Sequence, residues 1–155
     1  MNKRAETVGA EWVARMLAAV RARGEPWADY LRDAGIAPEL VDDPCARVGT
    51  VQYASLFRIL IDRRQDEALG FLSRRLKPGS FAVSARNALG ARSLGAAMNR
   101  TCAALNLLQD DFELRLDGST DPSHLTLRFS NAEAGSYTFV HELMLRVYWQ
   151  WFVWL

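Results

Sequence analysis

Hydrophobic residues recur at helical spacing through most of the first 108 positions of the chain. The clearest stripe follows Ser93, whose side chain can cap the first turn of a helix. Weaker stripes predict further helices, with Thr7 and Thr50 as N-caps and Gly24 and Gly35 as stops. The stripe after Ser93 consists of Leu94, Ala97, Met98, Cys102, Leu105 and Leu108. The other predicted helical segments are residues 7–24, 26–31, 38–41, 68–76 and 81–89, and a segment that follows Thr50.

The period of the pattern changes after residue 110. Apolar residues alternate with polar ones over residues 112–117 and again over residues 125–130, and a loop at 118–122 separates the two stretches. Such alternation predicts a β-hairpin with one buried and one wet face. Helical spacing returns from Ser136 onward. We therefore predict an α+β fold with a helical N-terminal layer of about six helices, one β-hairpin and a long C-terminal helix.

The end of the chain is unusually apolar. Residues 147–155 are apolar apart from Gln150, so a helix there would need to be covered on every side. Two strands alone also form only a marginal sheet. We expect either that the chain pairs with another copy or, preferably, that the sheet is incomplete here and more chain follows. Nine helical residues span about 14 Å, roughly half of a bilayer core, so no membrane span is expected.

Composition narrows the function without identifying it. The chain has 155 residues, 50% of them hydrophobic and 24% charged, which is typical of one globular domain. A net charge of +1 argues against a strongly basic nucleic-acid binder. Residues 51–110 nevertheless carry nine basic groups against four acids. Solvated helix faces explain this surplus better than an acidic partner or an anionic ligand.

The two cysteines and the start of the chain favour a cytoplasmic protein. Cys45 and Cys102 are too few and too far apart in sequence to form a disulfide framework. The first residues include two basic side chains, but no long apolar stretch follows them, so no signal peptide is predicted.

The order of these blocks resembles the N-terminal effector-binding domain of AraC-type bacterial transcription regulators, in the branch labelled arabinose-binding-like. The resemblance runs from about Tyr30 to the end of the chain. It depends most on "LKPGSF" at residues 76–81, on the small-residue helix after it, and on "SLGAAMNR" at residues 93–100. The hairpin "FELRLDGSTDPSHLTLRF" and the earlier block "LRDAGIAPELVDDPCARVGTVQYASLFRIL" complete the match.

This resemblance implies a ligand-sensing domain that binds a small-molecule effector and controls a C-terminal DNA-binding domain. Residues 1–155 would then be the N-terminal part of the sensing domain, the helix-turn-helix domain would be absent, and DNA would be contacted only through that missing domain. A homodimer is expected. The resemblance does not identify the effector, and arabinose is not implied.

Enzyme chemistry finds little support in the sequence. His141 precedes Glu142, but no second histidine completes a zinc-binding helix, and His124 stands alone at the start of a predicted strand. No nucleophile elbow or phosphate-binding glycine loop is present. Cys102 lies on the apolar face of its helix, where inert packing is expected. We therefore predict a binding protein that is not an enzyme and uses no metal or cofactor.

A candidate ligand site is predicted where three helices would converge, namely those containing residues 80–87, 100–106 and 141–148. Polar groups that interrupt otherwise apolar helices need partners if they are buried. A small organic acid or polar amphiphile could supply such partners while its carbon skeleton rests on aromatic rings. The candidate residues are Ser80, Phe81, Ser84, Asn87, Arg100, Asn106, His141 and Tyr148.

Two alternatives stay open at this point. The polar groups of the candidate site could satisfy one another or face water. The seven aromatic residues between Tyr137 and Trp154 could form a core or an interface instead of lining a pocket. In that case the chain would be a stand-alone protein-interaction or dimerisation module without a small ligand.

Overall fold

The computed structural model describes residues 6–119 and 122–155, and it confirms the α+β class. Within these residues there are eight α-helices, a 3-10 helix and two antiparallel sheets of two strands each. The chain divides into two compact units, residues 1–70 and residues 71–155. Residues 120 and 121 of the predicted loop and the basic start at residues 1–5 lie outside the described residues.

The first unit is mainly helical. Its two short strands pair antiparallel, with Val8 opposite Val48. Its elements are β1 (Thr7–Gly9), α1 (Ala10–Met16), α2 (Ala18–Ala22), α3 (Trp27–Asp33), a 3-10 helix (Pro38–Asp42), β2 (Arg47–Gly49) and α4 (Thr50–Arg64). The fully buried side chains of this unit include Val13, Met16, Leu17, Val20, Leu31, Leu56 and Leu60.

The predicted start of the first helix was wrong. Thr7 does not cap a helix but pairs with Gly49 in the β1–β2 sheet, and α1 begins only at Ala10. Helical spacing could not reveal this pairing because its two strands are forty residues apart in sequence. Thr50 is likewise the first residue of α4, whose N-cap is Gly49.

The predicted helix at residues 68–76 was also wrong. Leu69 and Gly70 have positive φ angles of 55° and 86°, which are incompatible with a right-handed helix. The buried Asp66 carboxylate stabilises this turn by accepting hydrogen bonds from the N–H of Ala68 (3.0 Å) and of Gly70 (2.8 Å). A side-chain bond to the local backbone thus outcompetes helix formation.

The second unit has the hairpin and the long helix that the pattern predicted. Ser93 caps its helix as expected, since its Oγ accepts a hydrogen bond from the N–H of Ala96. In the hairpin, Phe112 lies opposite Phe129 and Leu114 opposite Leu127. The elements are α5 (Ser80–Ala88), α6 (Leu94–Leu108), β3 (Phe112–Asp117), β4 (His124–Phe129), α7 (Ala132–Ser136) and α8 (Thr138–Trp154).

The core of the second unit lies between the helices and the apolar face of the hairpin. Helix α6 packs against α5 on one side and against β3 on the other. The buried side chains of this core include Leu105, Phe112, Leu114, Phe139, Val140, Met144, Tyr148 and Phe152. No helix in the described ranges is long and apolar enough to cross a membrane.

Candidate functional site

The aromatic members of the predicted site come together in the second unit. The rings of Phe81 on α5 and Tyr148 on α8 lie 5.8 Å apart, measured between their centroids. Trp151, one turn further along α8, meets Phe81 edge-on at 6.2 Å. Phe81 is half-buried and Tyr148 is buried, so this cluster joins the interior of the unit to its surface.

Helix α5 uses its predicted polar residues for local hydrogen bonds. The hydroxyl of Ser84 is fully buried and donates to the Phe81 carbonyl oxygen at 2.8 Å. The side-chain amide of Asn87 donates to the Arg100 carbonyl oxygen at 3.1 Å, which ties α5 to α6. Ser80 is the half-buried first residue of α5, after Gly79 at a φ of 98°.

Asn106 and His141 bind backbone groups in the same unit. The Asn106 amide makes two hydrogen bonds to Leu114, donating to its carbonyl at 3.0 Å and accepting from its N–H at 2.9 Å. His141 Nε2 lies 2.9 Å from the Gly135 carbonyl oxygen, and its ring lies 4.4 Å from that of Phe129.

Four of the six predicted polar groups therefore have partners within the protein. Their hydrogen bonds hold helices and strands together, and they leave these groups less available to a ligand. The side chain of Arg100 is exposed. A ligand role for the eight predicted residues stays a prediction. Of these residues, the structure brings Phe81 and Tyr148 together at an open surface.

That contact borders a groove of about 680 Å³. The groove is mainly apolar and aromatic, but Arg146 and Gln150 add a guanidinium and a carboxamide, as is usual for small-molecule sites. Sequence reasoning missed these two residues. They could have been found from their spacing of four, which puts them on the same face of α8 as Trp154. The lining residues are Phe81, Arg146, Val147, Trp149, Gln150, Trp151 and Trp154.

One polar atom at this groove is buried without a partner. The indole N–H of Trp151 makes no hydrogen bond within the described residues, although it is shielded from solvent. A buried donor without an acceptor is unfavourable by about 1–3 kcal/mol.

The buried titratable groups of the second unit stabilise the fold and do not line the groove. Burial alone would raise the pKa of Asp111, but hydrogen bonds from Ser73 and Asn131 and the charge of Arg74 outweigh burial and lower it. Burial raises the pKa of the Cys102 thiol, so this cysteine is an inert core group, as its position in the helical stripe indicated.

Metal binding finds no support in the geometry. The part of the chain that the structure describes contains no cluster of three or more histidine, cysteine, aspartate or glutamate side chains that could hold a metal ion. The arrangement on α5 and α8 is suited to non-covalent binding of a molecule with an apolar skeleton and a polar end.

Comparison with known proteins gives one family. Residues 24–155 match the model of the N-terminal arabinose-binding domain of AraC transcription regulators. No curated protein and no solved structure matches the chain. The family match spans far more than half of the chain and includes both the "LKPGSF" join and the hairpin. The chain therefore belongs to the family of N-terminal arabinose-binding domains of AraC transcription regulators.

Proposed function

We propose that this chain is the ligand-sensing domain of a transcription regulator, a binding protein that is not an enzyme. It binds a small effector and controls a C-terminal DNA-binding domain in the cytoplasm. The observation that carries this proposal is the family match over residues 24–155. The resemblance in the order of the sequence blocks supports the same function independently of the fold.

The groove on α5 and α8 is the proposed effector site. Aromatic rings at Phe81, Trp151 and Trp154 offer flat apolar surfaces to a carbon skeleton. Arg146 and Gln150 lie on the same helix and can hydrogen-bond a carboxylate or a hydroxyl group. This combination favours a small organic acid with an apolar body.

Sensing requires that the effector bind one conformation of the regulator more tightly than another. A ligand held against α8 would change the relative stability of the positions that this helix can adopt. An effector that shifts DNA affinity five- to 150-fold needs a coupling free energy of about 1–3 kcal/mol. Contacts with a few aromatic and charged side chains can supply a difference of that size.

A thermal-shift screen with small organic acids tests the proposal. A ligand at about one hundred times its dissociation constant should stabilise the protein by roughly 2.7 kcal/mol. Phe81→Ala and Arg146→Ala should reduce the shift for every hit, since both residues line the groove. Leu107→Ala, at a side chain that is 83% exposed on α6, is the matched control and should leave the shift unchanged.

The outcomes of this screen test the location of the effector site separately from the sensing function. Hits that keep their full shift in Arg146→Ala but lose it in Phe81→Ala and Arg100→Ala would favour the site predicted from sequence, which shares Phe81 with the groove. Hits unaffected by all three variants would rule out both sites but leave a sensing domain. A screen without any hit among organic acids, sugars and amino acids would count against sensing itself.

A second candidate function is protein interaction without a small ligand. Helix α8 exposes large apolar side chains near its end, with Trp149 61%, Val153 62% and Trp154 78% accessible. Exposed apolar patches of this kind mark binding surfaces. If interaction is the function, Trp154→Ser should abolish self-association or partner binding, whereas the thermal-shift screen should give no hits.

A further inference from the structure

Helices α5 and α6 are joined by a short, well-defined turn at residues 89–93. A connection of this length is typical of an antiparallel pair of helices. The N–H of Leu89 donates to the Arg86 carbonyl oxygen at 3.2 Å, and Gly90 follows at a φ of 72°. Ser93 then caps α6. These local bonds fix the backbone of the turn and so determine where its side chains emerge.

The part of the sequence that forms this pair of helices contains no acidic residue. From Ala68 to Gln109 there are five arginines and one lysine but no aspartate or glutamate. Three of the arginines lie at or near the turn, and all three are exposed, namely Arg86, Arg92 and Arg100. Within the described residues these three make no ion pair, in contrast to Arg74. Their charges are therefore not neutralised by the fold.

Large apolar side chains lie among these arginines. Val83, Leu89 and Leu94 are each more than half exposed. The hydrogen bond from the Asn87 amide to the Arg100 carbonyl oxygen holds α6 beside the same end of α5. Exposed apolar side chains with charged neighbours mark a binding surface more often than a face that only meets water. We call this surface the α5–α6 tip, and it consists of Val83, Arg86, Leu89, Arg92, Leu94 and Arg100.

We propose that the α5–α6 tip binds an acidic segment of another protein that also carries apolar side chains. The carboxylates of such a segment pair with the three guanidinium groups, and its apolar residues cover Val83, Leu89 and Leu94. A small anion would satisfy the arginines but leave the apolar side chains in water. This inference does not rest on the proposed effector, because Phe81 lies two positions from Val83 and so on a different face of α5.

Nucleic acids and membranes fit the tip less well than an acidic protein segment does. Single-stranded nucleic acids are usually held by stacking on aromatic rings, and interfacial membrane binding favours tryptophan and phenylalanine. The tip has no aromatic residue. Helix α8 contacts α5 through Phe81, in the first turn of α5 and at the opposite end from the tip. The described C-terminal part of the chain therefore does not account for the exposed leucines.

Fluorescence anisotropy with a labelled peptide of glutamate, leucine and alanine tests the proposal on the 155-residue chain. Arg86→Glu and Arg92→Glu should each weaken binding about fivefold or more, because each change puts a like charge opposite the peptide. Arg58→Glu is the matched control, since Arg58 on α4 is also exposed, and it should leave the affinity unchanged. All three positions are exposed, so circular dichroism should show unchanged folding.

A second set of measurements separates charge from apolar contact. Leu89→Ser should weaken binding, whereas Val51→Ser, at a side chain that is 81% exposed on α4, should not. A peptide with glutamine in place of glutamate should bind more weakly than the glutamate peptide. Affinity for the glutamate peptide should fall as salt rises from about 0.05 M to about 0.5 M, because salt screens exposed charges.

Several results would overturn the proposal. The first is a glutamate peptide that does not bind, or that binds no better than its glutamine form. Equal weakening by Arg58→Glu and Arg86→Glu would show a general charge effect. Tighter binding of duplex DNA or phosphatidylserine vesicles at physiological salt, with the same dependence on Arg86 and Arg92, would assign the tip to those partners. A longer form of the regulator that no longer binds the peptide would assign the tip to an intramolecular contact.

Discussion

Asp110 and Asp111 are adjacent acids in different environments. The Asp110 side chain is 82% exposed and lies 3.1 Å from Arg74. Asp111 is buried and accepts hydrogen bonds from the hydroxyl of Ser73 at 2.7 Å and from the amide of Asn131 at 3.0 Å. It thereby joins three chain segments of the second unit. The sequence indicated that this pair ends a helix and begins a strand, but not which of the two acids is buried, because Ser73 and Asn131 are distant in sequence.

We predict that Asp111→Asn destabilises the chain by about 1–3 kcal/mol at neutral pH, since the new amide faces hydrogen-bond donors and leaves one of them unpaired. The pKa of Asp111 is lower in the folded state than its ordinary value of 3.8. Its contribution to stability is therefore fully present above that value, and it is lost as pH falls through the lower folded pKa.

Chemical denaturation between pH 7 and pH 2 measures this effect. The difference in unfolding free energy between wild type and Asp111→Asn should shrink as pH falls below about 4. Asp110→Asn is the matched control and should change stability by less than about 0.5 kcal/mol. A difference that is independent of pH would contradict the role assigned to the Asp111 carboxylate.

At the scale of elements, α6 and β3 are joined by polar bonds as well as by packing. The side-chain amide of Asn106 on α6 binds both backbone groups of Leu114 on β3. Periodicity predicted the helix and the strand separately. It did not predict that side chains of one would bond the backbone of the other, since helical spacing describes only which residues share a face.

We predict that Asn106→Leu destabilises the second unit by about 1–3 kcal/mol or more, because it leaves the N–H and the carbonyl of Leu114 without partners. Asn99→Leu, at an exposed position on the same helix, should be close to neutral. Thermal unfolding followed by circular dichroism compares the two variants. Equal stabilities would mean that water replaces the Asn106 amide at no cost.

The elements that were predicted correctly are those whose signals are local. Ser93 caps α6, and the alternation around Leu114 and Leu127 defines the hairpin. The errors at Thr7 and at residues 68–76 arose where a distant strand or a buried carboxylate decided the backbone conformation. For the candidate site, aromatic content predicted the meeting of Phe81 and Tyr148, but the apolar pattern marks Gln150 only as an interruption and does not single out Arg146.

At the scale of the whole molecule, the basic surplus in the middle of the chain is partly neutralised. Arg63 pairs with Asp33, Arg64 with Glu25, and Arg74 with Asp110. These pairs favour the solvated-face interpretation over a dedicated anion-binding surface. They also reduce the number of arginines that could neutralise phosphates without first losing an acidic partner. The net charge of +1 gives no general attraction to nucleic acid.

We therefore predict that residues 1–155 bind DNA without sequence preference and only weakly. Fluorescence anisotropy with an operator duplex and a scrambled duplex should give the same low affinity for both. Binding should disappear between about 0.05 and 0.2 M salt, as expected for a few phosphate contacts. A footprint at physiological salt, from this chain alone, would contradict a sensing role for the domain and assign DNA recognition to it.

The packing of α6 against β3 makes the two cysteines of the unmodified protein reporters of local opening. Thiol reagents attack the thiolate of an accessible cysteine, so the exposed Cys45 should be labelled at once. The Cys102 thiol is buried on α6, which packs against the edge of β3, and burial raises its pKa, so it becomes reactive only when α6 separates from that edge. The rate of the second labelling event thus reports how often that edge opens. An effector that tightens the second unit would be seen as a slower reaction, without any introduced probe.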